Sequence, residues 1–191
     1  MRYQPDHKAR THRRIVENAA RRFRADGLNG AGVAALMKAS GLTVGGFYKH
    51  FRSKDDLLLE AVEQGLRDSR ESLLNGIERI PARQRWKEIM RRYLSLEHCQ
   101  RADTGCPVAA LAPETARTAP AVKKRIAALM KDHLRRFVPF APGRSPEEKQ
   151  RNCLAGFAAA IGAINMARNM TKTAEKEQIL RIVRGQLLAG L

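Results

Sequence analysis

The chain has 191 residues, with 36 Lys and Arg against 19 Asp and Glu and a formal net charge of +17. That length suffices for one buried core, or for a small domain joined to a larger one. The charge calls for a polyanion, nucleic acid before an anionic membrane surface, with a solubilising surface as the plain alternative. Residues 1–60 hold 12 basic and 6 acidic side chains, and residues 61–191 hold 24 and 13, so charge alone does not locate a site.

Cys99, Cys106 and Cys153 form an odd, sparse set. They suit neither a disulfide framework nor a metal cluster, and point to a reducing compartment. The N-terminus through Lys8 has no apolar run, so no signal peptide is expected. The longest apolar stretch, Cys153 to Ala167, is interrupted by Asn165 and is short for a membrane span. A cytoplasmic protein, not bound to membranes, is expected. A phosphate loop, a nucleophile elbow and Cys/His metal spacing are all absent from the sequence, so no enzyme activity, catalytic residue, metal or cofactor is expected.

In chain order the signals are helical, without a period-two strand pattern. A first helix is expected from about Lys8 to Asp26, with Ile15, Val16, Ala19, Ala20 and Phe23 as its apolar stripe. Arg10, Arg13, Arg14, Arg21, Arg22 and Arg24 surround that stripe and read as a largely solvated face. Gly27 stops the helix. Val33, Leu36 and Met37 mark a short second helix ending near Ala39, and Ser40-Gly41-Leu42 reads as a tight turn.

Thr43-Val44-Gly45-Gly46-Phe47-Tyr48-Lys49-His50-Phe51 follows as a third helix, with Leu42, Phe47 and Phe51 facing inward. Helix, turn, helix with polar and basic side chains on the second helix is a DNA-reading arrangement. Thr43 is a candidate cap and phosphate contact, and Val44 suits a thymine methyl. Gly45 and Gly46 each cost about 1 kcal/mol against Ala inside a helix. Such a pair suggests close approach of backbone to the groove, with an irregular helix start as the alternative. Tyr48, Lys49 and His50 are candidates for phosphate or base contact. Ser53 caps a long fourth helix, expected to reach about Ile77, and Lys54 in its first turn is a further phosphate candidate.

Beyond Pro81 the helical pattern continues through Pro81–Cys99, Gly105–Ala112 and Pro120–Phe140. Ser145-Pro146-Glu147-Glu148 is a strong helix start, and that helix runs to about Met170. Its interior, Ala155 to Ala163, is small-residued and allows close helix approach. Thr173 is the expected cap of a last helix carrying Ile179, Ile182, Val183, Leu187 and Leu188.

The segment from Thr11 to Gly27, and above all Ala39 through Leu58, resembles the TetR family of bacterial transcriptional repressors. Thr/Ser, two positions, Gly or Asn, Phe/Leu-Tyr, one position, His-Phe, one position, Ser/Asn-Lys is a specific signature, and it stands here from Thr43 to Lys54. The resemblance covers about residues 8–66. It implies an all-α fold of about nine helices. A helix-turn-helix domain would span residues 1–52, extending to about 68 with the linking helix. A ligand-binding and dimerisation domain would span 53–191. Ala31 and Gly32 stand where hydroxyl residues are usual in the family, so the phosphate contact there would fall to backbone N–H groups.

The implied partners are a double-stranded DNA operator of palindromic form and a second copy of the chain, joined through the last two helices. A small apolar or aromatic effector is the third. Trp86, Met90, Tyr93, Leu111, Met130, His133, Phe137 and Phe157 are candidates for lining the effector pocket, with core packing as the alternative for each. Cys106, between Gly105 and Pro107 and near Arg101, is read two ways: as a reactive thiol of a redox- or electrophile-sensing repressor, or as a small buried hydrophobe.

Overall fold

The computed structural model describes residues 5–30 and 32–189, with side chains from residue 7. Among the described residues there are nine α-helices and no strand: α1 (Pro5–Gly30), α2 (Val33–Ala39), α3 (Lys54–Leu74), α4 (Arg85–Tyr93), α5 (Leu96–Gln100), α6 (Pro107–Thr115), α7 (Pro120–Arg135), α8 (Pro146–Arg168) and α9 (Thr173–Ala189). Between α2 and α3 lies a 3-10 segment, Val44–Lys49.

The N-terminal unit forms because three apolar patterns meet. Ile15, Val16, Ala19, Ala20 and Phe23 of α1 are buried against Leu36 and Met37 of α2 and against Phe47, Phe51, Leu57 and Leu58. Each fully buried Leu, Ile or Phe contributes about 1.5–3 kcal/mol. Gly27, at φ 74°, ends the regular part of α1, and Gly41, at φ 66°, turns the chain between α2 and the 3-10 segment. Both positions are left-handed and favour glycine.

Ser53 starts α3 as expected: its Oγ accepts the Asp56 N–H at 3.1 Å, and Asp55 and Asp56 sit at the positive helix end. This helix ends at Leu74, before the expected Ile77, because Gly76 at φ 66° opens a separate 3-10 turn, Ile77–Arg79.

α3 belongs to two cores. Its first half completes the N-terminal unit, which also recruits Leu111 of α6 with Val122 and Ile126 of α7. Packing therefore runs across the 52/53 boundary. Leu73, at its far end, joins Trp86, Ile89, Met90, Tyr93, Phe137, Phe157 and Ile164 in the core of the body.

The Pro81–Cys99 stretch is not one helix. It breaks at Leu94, and Ser95 caps α5 by accepting the His98 N–H at 3.1 Å. Likewise α7 stops at Arg135, and Val138–Phe140 forms a 3-10 turn. Ser145 caps α8 through the Glu148 N–H at 3.2 Å. The Glu148 carboxylate reaches back to the Arg144 N–H at 2.7 Å. Thr173, expected as a cap, is the first residue of α9 itself, and Glu175 instead accepts the Lys172 N–H at 3.4 Å.

The small residues of α8 divide by face. Gly156, Ala160 and Ala163 are buried, and a Cβ on Gly156 would stand 2.7 Å from Trp86 Cζ2, so the indole needs that glycine. Leu154, Ala155, Ala158, Ala159, Gly162 and Met166 are exposed. No helix of the described residues is long and apolar enough to cross a membrane.

Candidate nucleic-acid interface

The third helix expected from the sequence forms as a 3-10 helix, Val44–Lys49. Gly45 and Gly46 remove side chains that would favour an α-helix, and short 3-10 turns tolerate the loss. Two contacts hold the segment in place. Phe47 is 2 % exposed, and its ring lies 5.4 Å from that of Phe51. The His50 and Phe51 N–H groups both donate to the Phe47 carbonyl, at 2.9 and 3.0 Å.

The opposite face is open. Val44 and Tyr48 are 51 % and 77 % exposed, uncommon for such large side chains, and Thr43, Gly45 and Lys49 are exposed beside them. The Thr43 hydroxyl makes no capping bond, although the residue occupies the cap position. Neither glycine has a positive φ. A Cβ on Gly45 would meet nothing within 4 Å, and one on Gly46 would make only ordinary contact with Met37 Cε at 3.6 Å. The chain's own packing does not require glycine at either place. Gly32 caps α2 through its carbonyl without a side-chain bond, and Ala31 lies outside the described residues.

His50 is half-buried beside a second histidine. Its ring lies 6.0 Å from His12, whose Nε2 is 2.6 Å from Glu60 Oε2 and whose ring stacks on Phe51 at 4.6 Å. Burial, then the charges of His12, Lys8 and Lys49, lowers the His50 pKa, so the ring is neutral at neutral pH. Its buried Nδ1 meets no partner among the described residues. Lys54 donates from Nζ to the Leu28 carbonyl at 2.7 Å, tying α3 to the end of α1 while remaining exposed.

One residue that sequence reasoning placed on a solvated face is a structural centre. Arg24 is 4 % exposed. Its guanidinium donates to the carbonyls of Ala20 at 2.9 Å, Gly65 at 3.3 Å and Gly105 at 3.1 Å, and meets Asp68 Oδ2 at 3.4 Å. Burial lowers its pKa, opposed by Asp68. Gly65 leaves room for it, since a Cβ there would lie 3.0 Å from Nη1. The one available signal was position: Arg24 follows Phe23, at the edge of the apolar stripe.

The body candidates separate. Trp86, Met90, Tyr93, Cys106, Phe137 and Phe157 share one core, whereas Leu111 lies in the other and Met130 packs against it. The rings of Trp86, Tyr93 and Phe137 surround Phe157 at 5.9, 5.5 and 4.9 Å. His133 lies 5.1 Å from Phe137 and also borders a small polar cleft. Cys106 is 2 % exposed, not open as its Gly-Cys-Pro setting suggested. It holds the cap position of α6, and its N–H donates to His98 Nε2 at 3.0 Å.

Residues 15–61 match the family described as bacterial regulatory proteins, tetR family. Among curated proteins, none matches the chain. Solved structures extend the likeness over the whole length. A TetR transcriptional regulator from Chloroflexus aurantiacus is 24 % identical, with 94 % of this chain and 93 % of that one covered and a TM-score of 0.73. A TetR-family regulator from Cytophaga hutchinsonii is 20 % identical, with 99 % and 98 % covered and a TM-score of 0.78. The regulator FadR from Bacillus subtilis, solved in complex with stearoyl-CoA, is 14 % identical, with 94 % and 98 % covered and a TM-score of 0.70. Residues 15–61 thus match the tetR family of bacterial regulatory proteins, and the fold throughout is the one these solved regulators share.

Proposed function

We propose that this protein is a ligand-responsive repressor that binds a palindromic operator as a homodimer and is released by a small molecule. The observation that carries the reading is the open face of the 3-10 segment. Val44 and Tyr48 are exposed there beside Lys49, on an element anchored by Phe47 and Phe51. Gly45, unneeded by the fold, leaves the backbone free to approach a groove wall closely. In this reading Val44 and the glycines face the bases. Thr43, Tyr48, Lys49, neutral His50, Lys54 and the backbone at Ala31 and Gly32 hold phosphates.

Two-fold pairing is supported by the exposed apolar face of α8, from Leu154 to Met166, continued by exposed Ile182 on α9. Such a patch suits a partner surface, and a second copy gives two half-sites. FadR, a relative bound to stearoyl-CoA, supports effector control. Burial of Cys106 favours an effector over a thiol sensor.

In vitro selection of duplexes from a random library by the purified protein tests the proposal. Enrichment of a palindrome is the expected result, and no enrichment over random DNA would overturn the reading.

A further inference from the structure

A cleft of about 450 Å³ opens between the N-terminal unit and the body, within the range of small-molecule sites. Its walls come from α1, the far end of α3, α4, α5 and the turn leading to α6. Five arginines line it, Arg21, Arg24, Arg91, Arg92 and Arg101, against two carboxylates, Asp68 and Glu97.

The positive charge is only partly offset, by Asp68 and Glu97 in the lining and by Glu88 and Asp103 beside it. Asp68 is committed to Arg24 and to Gln64 Nε2, at 3.4 and 2.7 Å. Arg91 and Arg92 share one carboxylate, Glu88, each at 2.7 Å. The other partners of Arg92 are neutral carbonyls, those of Leu73 and Asn75. The Arg21 and Arg101 guanidinium groups make no hydrogen bond or ion pair among the described residues, although Arg101 follows Glu97 by one helical turn. Low-dielectric walls focus such a field inside a concavity. Serine and threonine hydroxyls make up much of the remaining lining, so the cleft does not suit a purely lipophilic molecule.

DNA is not the occupant. The arginines surround the Asp68–Leu73 end of α3, about 20 Å along that helix from Lys54 at the proposed DNA face. Arg21 stands on α1 of the DNA-binding unit, and Arg101 on the body. An anion held by both would favour one spacing of the two and shift the population accordingly.

We propose that this cleft is the effector site and that the effector is a small polar polyanion, carrying carboxylates or phosphates, clamped between Arg21 and Arg101. The assignment rests on the effector-responsive reading above and differs from it in chemistry, replacing an apolar ligand by a charged one.

Calorimetry of the full chain without DNA, at fixed ionic strength, tests it with citrate and with pyrophosphate as separate probes. The expected result is one saturable site per chain for at least one probe, and the preferred probe distinguishes carboxylate from phosphate chemistry. Arg21→Ala/Arg101→Ala should weaken it at least tenfold. Arg83→Ala/Arg125→Ala, removing exposed arginines outside the cleft, should change it less than twofold. The bound probe should also shift affinity for a selected duplex at least fivefold, in the wild type and not in the cleft variant. Absence of saturable binding to both probes, or equal weakening by the two variants, would overturn the site. Binding that leaves DNA affinity unmoved would overturn the effector role. Failure of the selection to yield any duplex would instead sink the DNA-binding reading, with the calorimetry still deciding whether the cleft binds anions.

Discussion

Glu114, in the last turn of α6, accepts the backbone N–H of Leu28 at 2.8 Å and so holds the end of α1 against the body. The same α1 terminus carries Gly27 at φ 74°, where a Cβ would fall 2.9 Å from Glu114 Oε1. The opposite end of α6 is reached by Arg24, through the Gly105 carbonyl. One short helix of the body is thus fastened at both ends to the first helix of the N-terminal unit. A displacement of α6 would have to move α1 or break one of these bonds.

Removing either fastening should cost stability. Glu114→Ala leaves the half-buried Leu28 N–H without its partner and should destabilise by about 1–3 kcal/mol. Arg24→Ala removes the donor to the Ala20, Gly65 and Gly105 carbonyls and the cation beside Asp68, and should cost more, about 3 kcal/mol. Denaturant titration measures both. An Arg24→Ala protein as stable as the wild type would contradict the central role assigned to that side chain.

Stability should also depend on pH through His133. Burial, with Arg70 adding to it and Asp132 opposing, lowers its pKa to about 4. The unfolded chain then binds a proton first, so the contribution is fully present above about pH 6.5 and is lost as pH falls toward 4. His98 and His50 are lowered as well and act in the same direction. His133→Gln should flatten this part of the profile, by as much as about 3 kcal/mol. Denaturant midpoints between pH 7 and 4 give the test; an unchanged profile in the variant would rule out His133 as the group responsible.

Gly162 offers a probe of pairing. It is exposed on α8, and a Cβ there would meet nothing within 4 Å. Gly162→Glu should leave the protomer folded, since Gly is the weaker helix former by up to about 1 kcal/mol. It should disrupt a dimer built on this face. Sedimentation velocity should give a dimer for the wild type and a monomer for the variant; a wild-type monomer would count against the dimeric reading.

Adjacent aromatics of the 3-10 segment should separate function from stability. Tyr48→Ala, at an exposed position, should change stability by less than about 0.5 kcal/mol and weaken DNA binding at least tenfold. Phe47→Ala, in the core, should cost about 3–5 kcal/mol. Paired denaturation and anisotropy titrations distinguish them, and normal DNA affinity in Tyr48→Ala would remove Tyr48 from the interface.

Local rules carried much of this fold. The periodicity of Val33, Leu36 and Met37 located α2, Ser53 and Ser145 cap as their neighbours require, and Gly27 takes the left-handed conformation. What local rules missed depends on long-range partners. Arg24 looks like its solvated neighbours until Gly65 and Gly105 bring carbonyls to it. Cys106 is buried by packing that its Gly-Cys-Pro setting does not announce. The arginine cleft joins residues 21 to 104 and has no contiguous signature. The sequence places a helix at Val44–Lys49, and the structure forms it as a short 3-10 helix, an element that tolerates Gly45 and Gly46.

Val44–Lys49 is proposed to read base sequence, and Val44, half exposed and apolar, is the residue on it best suited to a base edge. Selection from random duplexes, run in parallel with the wild type and Val44→Ser, tests this most directly. An altered preference at symmetric positions in the two half-sites is expected, with affinity for non-specific DNA within about twofold, since phosphate contacts supply that term. An unchanged motif from the variant would contradict the assignment of this segment as the reader.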